Sequence, residues 1–159
     1  MTENDERKRA ARLRRIGQNE YTRIEHPAAA TMEACAAIGE GTGASHCKNL
    51  FLTNRQGTAF FLVMLGSSKK FRTASVSKQL GAARLSFTTA EQLENILGLT
   101  QGSVTVTGLL NDTTHCVHVA IDRDLLNEER ILIHPNINTA SLVVKTSDIL
   151  RFLDLLGYE

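Results

Sequence analysis

The sequence predicts an α+β fold, a mixed β-sheet covered by helices, and three observations carry that expectation. Short apolar and β-branched runs recur along the chain, and the longest, residues 59–65, suits a central strand covered on both faces. Amphipathic stretches lie between them, several opened by Ser or Thr and closed by Gly. The two kinds do not alternate strictly, because hairpin-connected strands are interspersed with helices, which argues against an all-parallel sheet.

The bulk properties narrow the class of protein. A chain of 159 residues builds one domain with a full core, and no repeat or low-complexity linker divides residues 1–159. Its 42% hydrophobic and 22% charged residues are ordinary for a globular protein. A formal net charge of +1 does not by itself require a nucleic-acid partner, although a local basic patch can still recruit one. Cys35, Cys47 and Cys116 are odd in number and lack Cys-x-x-Cys spacing, as expected of reduced thiols in a cytoplasmic protein. With a charged N-terminus no signal peptide is expected, and the apolar runs are too short for a membrane span, so no membrane partner is expected.

Residues 4–16 are predicted helical, acidic at the start and basic at the end, in keeping with the helix dipole. The basic positions from Arg7 to Arg15 form a solvated face or a phosphate contact. Residues 21–26 alternate as a half-exposed strand closed by Pro27, and Thr31 caps a helix through Ile38. The glycine-rich loop 39–45 lacks the Gly-Lys-[Ser/Thr] ending of a phosphate loop. Residues 46–53 and 59–65 form a hairpin, followed by a second basic patch at Lys69, Lys70 and Arg72. A short helix over 75–81 and a strand over 84–87 come next. Thr88 and Glu91 are then expected to form a capping box heading a helix that ends at Gly98. The small and β-branched residues of 102–110 predict a strand with glycines at both ends. Strands over 116–122, 130–133 and 141–144 precede a final helix, capped by Thr146 or Ser147 and stopped by Gly157.

Several chemistries are excluded or disfavoured. On a strand His115 faces away from Cys116 and His118, so no metal site is predicted there, and no cofactor is expected. Cys47 with His134 lacks a nucleophile signature, and no carboxylate pair stands out for acid–base work. What remains is Lys48, Asn49, Ser86, the 102–108 segment, and His134 with Asn138. A lysine flanking a strand is ordinarily solvated, and a histidine before proline ordinarily makes a local hydrogen bond.

Taken together and in order, these pieces resemble the YbaK/ProX superfamily of aminoacyl-tRNA editing domains, most closely its freestanding alanyl-tRNA(Pro) deacylase branch. The matching pieces are Glu25-His26-Pro27, His46-Cys47-Lys48-Asn49-Leu50-Phe51-Leu52, Arg84-Leu85-Ser86-Phe87, Gly102-Ser103-Val104-Thr105, Gly108-Leu109-Leu110-Asn111-Asp112, and His134-Pro135 with Asn138. Val106 replaces the proline that usually ends the superfamily's G-x-x-x-P loop, which frees φ and restores an N–H. Thr107 stands where a bulkier apolar residue is common.

The resemblance implies a curved, partly barrel-like sheet wrapped by helices, and hydrolysis of the ester joining a wrong amino acid to tRNA. It implies catalytic roles for Lys48, Asn49, Gly102 and His134, and a substrate pocket of Ser86, Val104, Val106, Gly108, Leu109 and Asn138. Arg7, Arg15, Lys69, Lys70 and Arg72 are the expected nucleic-acid contacts. The implied partners are the acceptor end of aminoacylated tRNA and prolyl-tRNA synthetase. Lys48 is expected to face a glycine-walled hollow formed by 102–108, close to His134. The alternatives are a non-catalytic nucleic-acid-binding or regulatory member, and a deacylase for cysteinyl-, seryl- or another misacylated tRNA.

Overall fold

A computed structural model of the chain describes residues 21–25, 44–133 and 140–158. The predicted helices over 4–16 and 31–38 lie outside the described residues. The strands are β1 (Tyr21–Glu25), β2 (Ser45–Thr53), β3 (Phe60–Gly66), β4 (Ser86–Phe87), β5 (Val117–Ile121), β6 (Arg130–Ile133) and β7 (Ala140–Lys145). The helices are α1 (Thr73–Leu80), α2 (Ala90–Leu97), a 3-10 helix (Val106–Asn111), α3 (Arg123–Leu126) and α4 (Thr146–Leu156).

The strands form a mixed sheet in the order β1-β7-β6-β2-β3-β5, with β4 also paired to β2. β2 and β3 form the expected antiparallel hairpin, in which Asn54 Oδ1 accepts from the Thr58 and Ala59 amides at 2.9 and 3.2 Å. Two pairings are parallel, β2 with β6 and β3 with β5. The second crosses over through α1, β4, α2 and the 3-10 helix. The sheet is open, with β1 and β5 at its ends, so the partly barrel-like closure is not formed among the described residues.

Period-2 alternation sorts β2 onto two cores. Cys47 and Phe51 join Met64, Leu97, Val106, Leu109, Ile131 and Phe152 on the face covered by α2, the 3-10 helix and α4. Leu52 joins Phe61, Val63 and Leu85 on the other, with Leu50, Val76 and Leu80 packed around them. Burying each such side chain contributes about 1.5–3 kcal/mol, so a one-residue slip of β2 would exchange the two cores and forfeit several of these terms.

Three local expectations are corrected. The 102–110 segment turns into a 3-10 helix at Val106 instead of forming a strand. Both Thr105 and Thr107 are buried, so no polar face alternates outward, while Val106, Leu109 and Leu110 turn into one core at helical spacing. The capping box lies one residue later than expected. Thr89 Oγ1 accepts from the Gln92 amide at 3.1 Å, and Gln92 Oε1 accepts from the Thr89 amide at 2.9 Å. The Thr88 amide is committed to the Phe51 carbonyl at 3.1 Å, so Thr88 has no N–H for the reciprocal half of a box. Finally, α4 starts directly from β7 without a side-chain cap, and the Thr146 hydroxyl donates to the Glu128 carbonyl instead.

Candidate functional site

The site centres on a split in the sheet beside β2. β3 runs along one edge of β2. On the opposite edge β6 pairs only with Ser45 and His46, and β4 only with Leu52 and Thr53. Lys48, Asn49 and Leu50 have no strand partner on that edge among the described residues. β2 therefore presents two polar side chains at a break in the sheet, and alternation sends them to opposite faces.

Asn49 lies on the Cys47–Phe51 face. Its amide donates to Cys47 Sγ at 3.6 Å, and the Cys47 thiol donates to the Leu132 carbonyl at 3.9 Å. Asn49 Oδ1 is buried and has no hydrogen-bond partner among the described residues. A buried carbonyl left unmatched costs about 1–3 kcal/mol, so it is a strong acceptor for a ligand N–H or O–H. Lys48 leaves on the other face, half-buried, and its ammonium donates to the Lys69 carbonyl at 2.5 Å. The Lys69 amide in turn donates to the Gly66 carbonyl at 3.0 Å, closing a turn after β3.

That turn lies between two cavities of about 610 and 310 Å³, both lined by Lys69 and Asp124. The larger has an apolar floor that includes Val63, Leu65, Val76 and Leu80, and a rim bearing Lys70, Arg72 and Arg123. Lys69 is occupied, with its ammonium 2.7 Å from both Asp122 Oδ1 and Asp124 Oδ2. These hydrogen bonds, Asp122 first, raise its pKa. Burial acts to raise the pKa of Asp122, but the Lys69 ammonium and the Gly66 and Asp124 amides outweigh it and hold the carboxyl below the usual range. Lys70, Arg72 and Arg123 make no ion pair among the described residues.

The remaining expected site residues are dispersed. Ser86 is exposed in β4, opposite Thr53. Gly102 is exposed with φ +83°. Val104 is half-buried against the first core, and Val106, Gly108 and Leu109 are buried in it. A Cβ on Gly108 would sit 2.8 Å from Leu99 Cδ1 and 3.3 Å from Leu97 Cβ, so its missing side chain serves helix packing. The packed part of 102–108 covers the face carrying Asn49, while Lys48 leaves β2 on the opposite face. Arg7, Arg15, His134 and Asn138 lie outside the described residues.

Sequence reasoning missed two polar clusters. The first is the Asp122–Lys69–Asp124 group, whose only local signal is Asp-x-Asp ahead of Leu125, where Asp122 caps α3. The second is buried Asp112, which accepts from the Cys116 amide, the Cys116 thiol, the Val117 amide and the Tyr158 hydroxyl. His115 stacks on Tyr158 with ring centroids 4.9 Å apart, and His118 stacks on Phe61 at 5.3 Å. No metal-binding group of His, Cys, Asp or Glu occurs among the described residues. No helix among them is long and apolar enough to cross a membrane.

This architecture is shared with solved structures. A structure titled as that of a candidate trans-editing enzyme for prolyl tRNA synthetase matches 100% of this chain and 95% of its own, with a TM-score of 0.71. At 18% identity that likeness defines the class by fold alone. The sequence carries the assignment further: the profile of the aminoacyl-tRNA editing domain matches residues 26–152, and the chain belongs to that family. Prolyl-tRNA editing protein ProX of Acetoanaerobium sticklandii is 32% identical over 137 residues, 86% of this chain and 84% of its own. Prolyl-tRNA synthetase associated domain-containing protein 1 of Danio rerio is also 32% identical over 137 residues, 85% of this chain and 74% of its own.

Proposed function

We propose that this chain is a trans-editing aminoacyl-tRNA deacylase whose substrate is alanyl-tRNA(Pro). One observation carries the reading. At the split beside β2, a fixed ammonium (Lys48) and a buried unmatched carbonyl (Asn49) leave adjacent positions of one strand, within a chain of the editing-domain family. Water adds to the ester carbonyl and the bond to the ribose oxygen breaks. That oxygen leaves with a proton as the tRNA hydroxyl, and the amino acid departs as its free acid.

In this reading Lys48 anchors the phosphate or ribose of the terminal adenosine, and Asn49 fixes the ester region from the other face. Backbone around Gly102 positions the water and the developing oxyanion. The neighbouring ribose hydroxyl of the substrate assists proton transfer. His134 and Asn138, which follow β6 in the chain, line or orient the amino-acid pocket. Lys70 and Arg72 take acceptor-stem phosphates, with Arg7 and Arg15 as further contacts, and prolyl-tRNA synthetase is a partner in the cytoplasm. Editing in trans has a physical rationale. A pocket sized for proline rejects alanine by only about 1–3 kcal/mol per missing methylene, whereas a smaller second cavity excludes proline by steric overlap.

The test is a panel of mischarged tRNAs, with ester loss followed over time. Alanyl-tRNA(Pro) should be deacylated, and Lys48→Ala should abolish that activity without changing the fold. Full activity of Lys48→Ala removes the lysine from the mechanism. Preferential loss of seryl or cysteinyl esters reassigns the substrate, and tRNA binding without turnover leaves a non-catalytic binding protein.

A further inference from the structure

We propose that Asp122 is a positioning residue for Lys48, acting through the turn after β3; the inference rests on the role given to Lys48 above. Among the described residues the Lys48 ammonium donates to one acceptor, the Lys69 carbonyl. A lysine side chain has many rotamers, so the position of its charge is only as defined as the group that holds it. The Lys69 carbonyl belongs to a surface turn between two cavities, in which Ser67, Ser68 and Lys70 are exposed. Such a turn has little packing of its own to fix it.

The carboxylate of Asp122 supplies what packing does not. One oxygen accepts from the Gly66 amide at 3.2 Å, at the start of the turn, and the other accepts from the Lys69 ammonium at 2.7 Å, near its end. Asp122 is itself anchored. Its amide donates to the Met64 carbonyl at 2.8 Å, and its side chain is only 7% exposed. Asp124 also contacts Lys69 but is 68% exposed, so solvent screens it and its hold is weaker. The chain of constraint therefore runs from β3 through Asp122 to both ends of the turn, then through the Lys69 carbonyl to Lys48. Among the described residues this arrangement leaves two of the three ammonium donors of Lys48 for a substrate.

The test reads Lys48 directly, without substrate. In 15N-labelled protein the Lys48 ammonium should give an NMR signal protected by its hydrogen bond and assigned by its loss in Lys48→Arg. Asp122→Ala should abolish that protection, and Asp122→Asn and Lys69→Met, which keep the backbone carbonyl and the fold, should weaken it. An unchanged Lys48 signal in Asp122→Asn and Lys69→Met, with the amide spectrum intact, overturns the proposal even if Asp122→Ala fails to fold. On mischarged tRNA, Asp122→Asn should lower kcat/KM about 10- to 100-fold, mainly through KM, the range expected for a displaced substrate-holding group. The two readings separate cleanly. Loss of the Lys48 signal in a protein that deacylates nothing upholds the positioning role and removes the editing one. An unmoved signal alongside a dead Lys48→Ala variant does the reverse.

Discussion

Replacing Asp112 by Ala should be among the most damaging single changes outside the site. The carboxylate is 5% exposed and accepts four hydrogen bonds, from the Cys116 amide at 3.1 Å, the Cys116 thiol at 3.3 Å, the Val117 amide at 3.1 Å and the Tyr158 hydroxyl at 2.8 Å. These ties join the 3-10 helix, the start of β5 and the C-terminal tyrosine. Alanine leaves the buried Val117 amide without an acceptor, at about 1–3 kcal/mol, and releases charge-assisted bonds worth about 1.5–3 kcal/mol each. Since the contributions are not additive, a total of about 3–5 kcal/mol is expected, roughly 10 °C in Tm for a chain of this size. Urea titration of wild type, Asp112→Ala and Asp112→Asn measures it. The pH dependence supplies a second check. Burial acts to raise the Asp112 pKa, but the donors from Tyr158, Val117 and Cys116 outweigh it and depress the folded value. A depressed carboxyl contributes stability that is fully present above its unfolded pKa, about 3.9, and that is lost as pH falls through the folded pKa. The advantage of wild type over Asp112→Asn should therefore shrink between pH 7 and ~2.5. A gap that stays constant over that range, or a cost for Asp112→Ala below about 1 kcal/mol, would refute the reasoning.

Two further outcomes test the scaffold. Gly108→Ala should destabilise by about 1–3 kcal/mol, because its Cβ would overlap Leu99 Cδ1 and crowd Leu97; a neutral urea midpoint would show that the 3-10 helix can move away. Thr89→Ala should cost about 1 kcal/mol by removing the hydroxyl that accepts from the Gln92 amide at the start of α2, whereas Thr88→Ala should leave α2 capped, and equal losses in the two variants would contradict the observed geometry.

Much of the fold was legible because its signals are local. The 59–65 run, the alternation of 46–53 and the glycine stops of α1, α2 and α4 each depend on neighbours within a few residues. The boundary errors arose where a distant group decided the outcome. Thr88 resembles a cap in isolation, yet Phe51 holds its amide in the sheet. Val104, Val106, Leu109 and Leu110 fit either a strand or a tight helix, and packing on Leu97 and Leu99 selected the helix. The candidate site follows the same pattern. Lys48 and Asn49 stand out as polar residues in an apolar strand, but which of the two joins the Cys47–Phe51 face depends on the β2 register.

By itself the sequence determined most of the described strands and helices, where most of them stop, and which family pattern the chain follows, because each is written in the spacing of nearby residues. Only the tertiary structure decided the strand order, the gap left between β6 and β4 along β2 among the described residues, and the Asp122–Lys69 contact across 53 positions. Those features arise from pairings between distant segments, whose geometry no local period encodes.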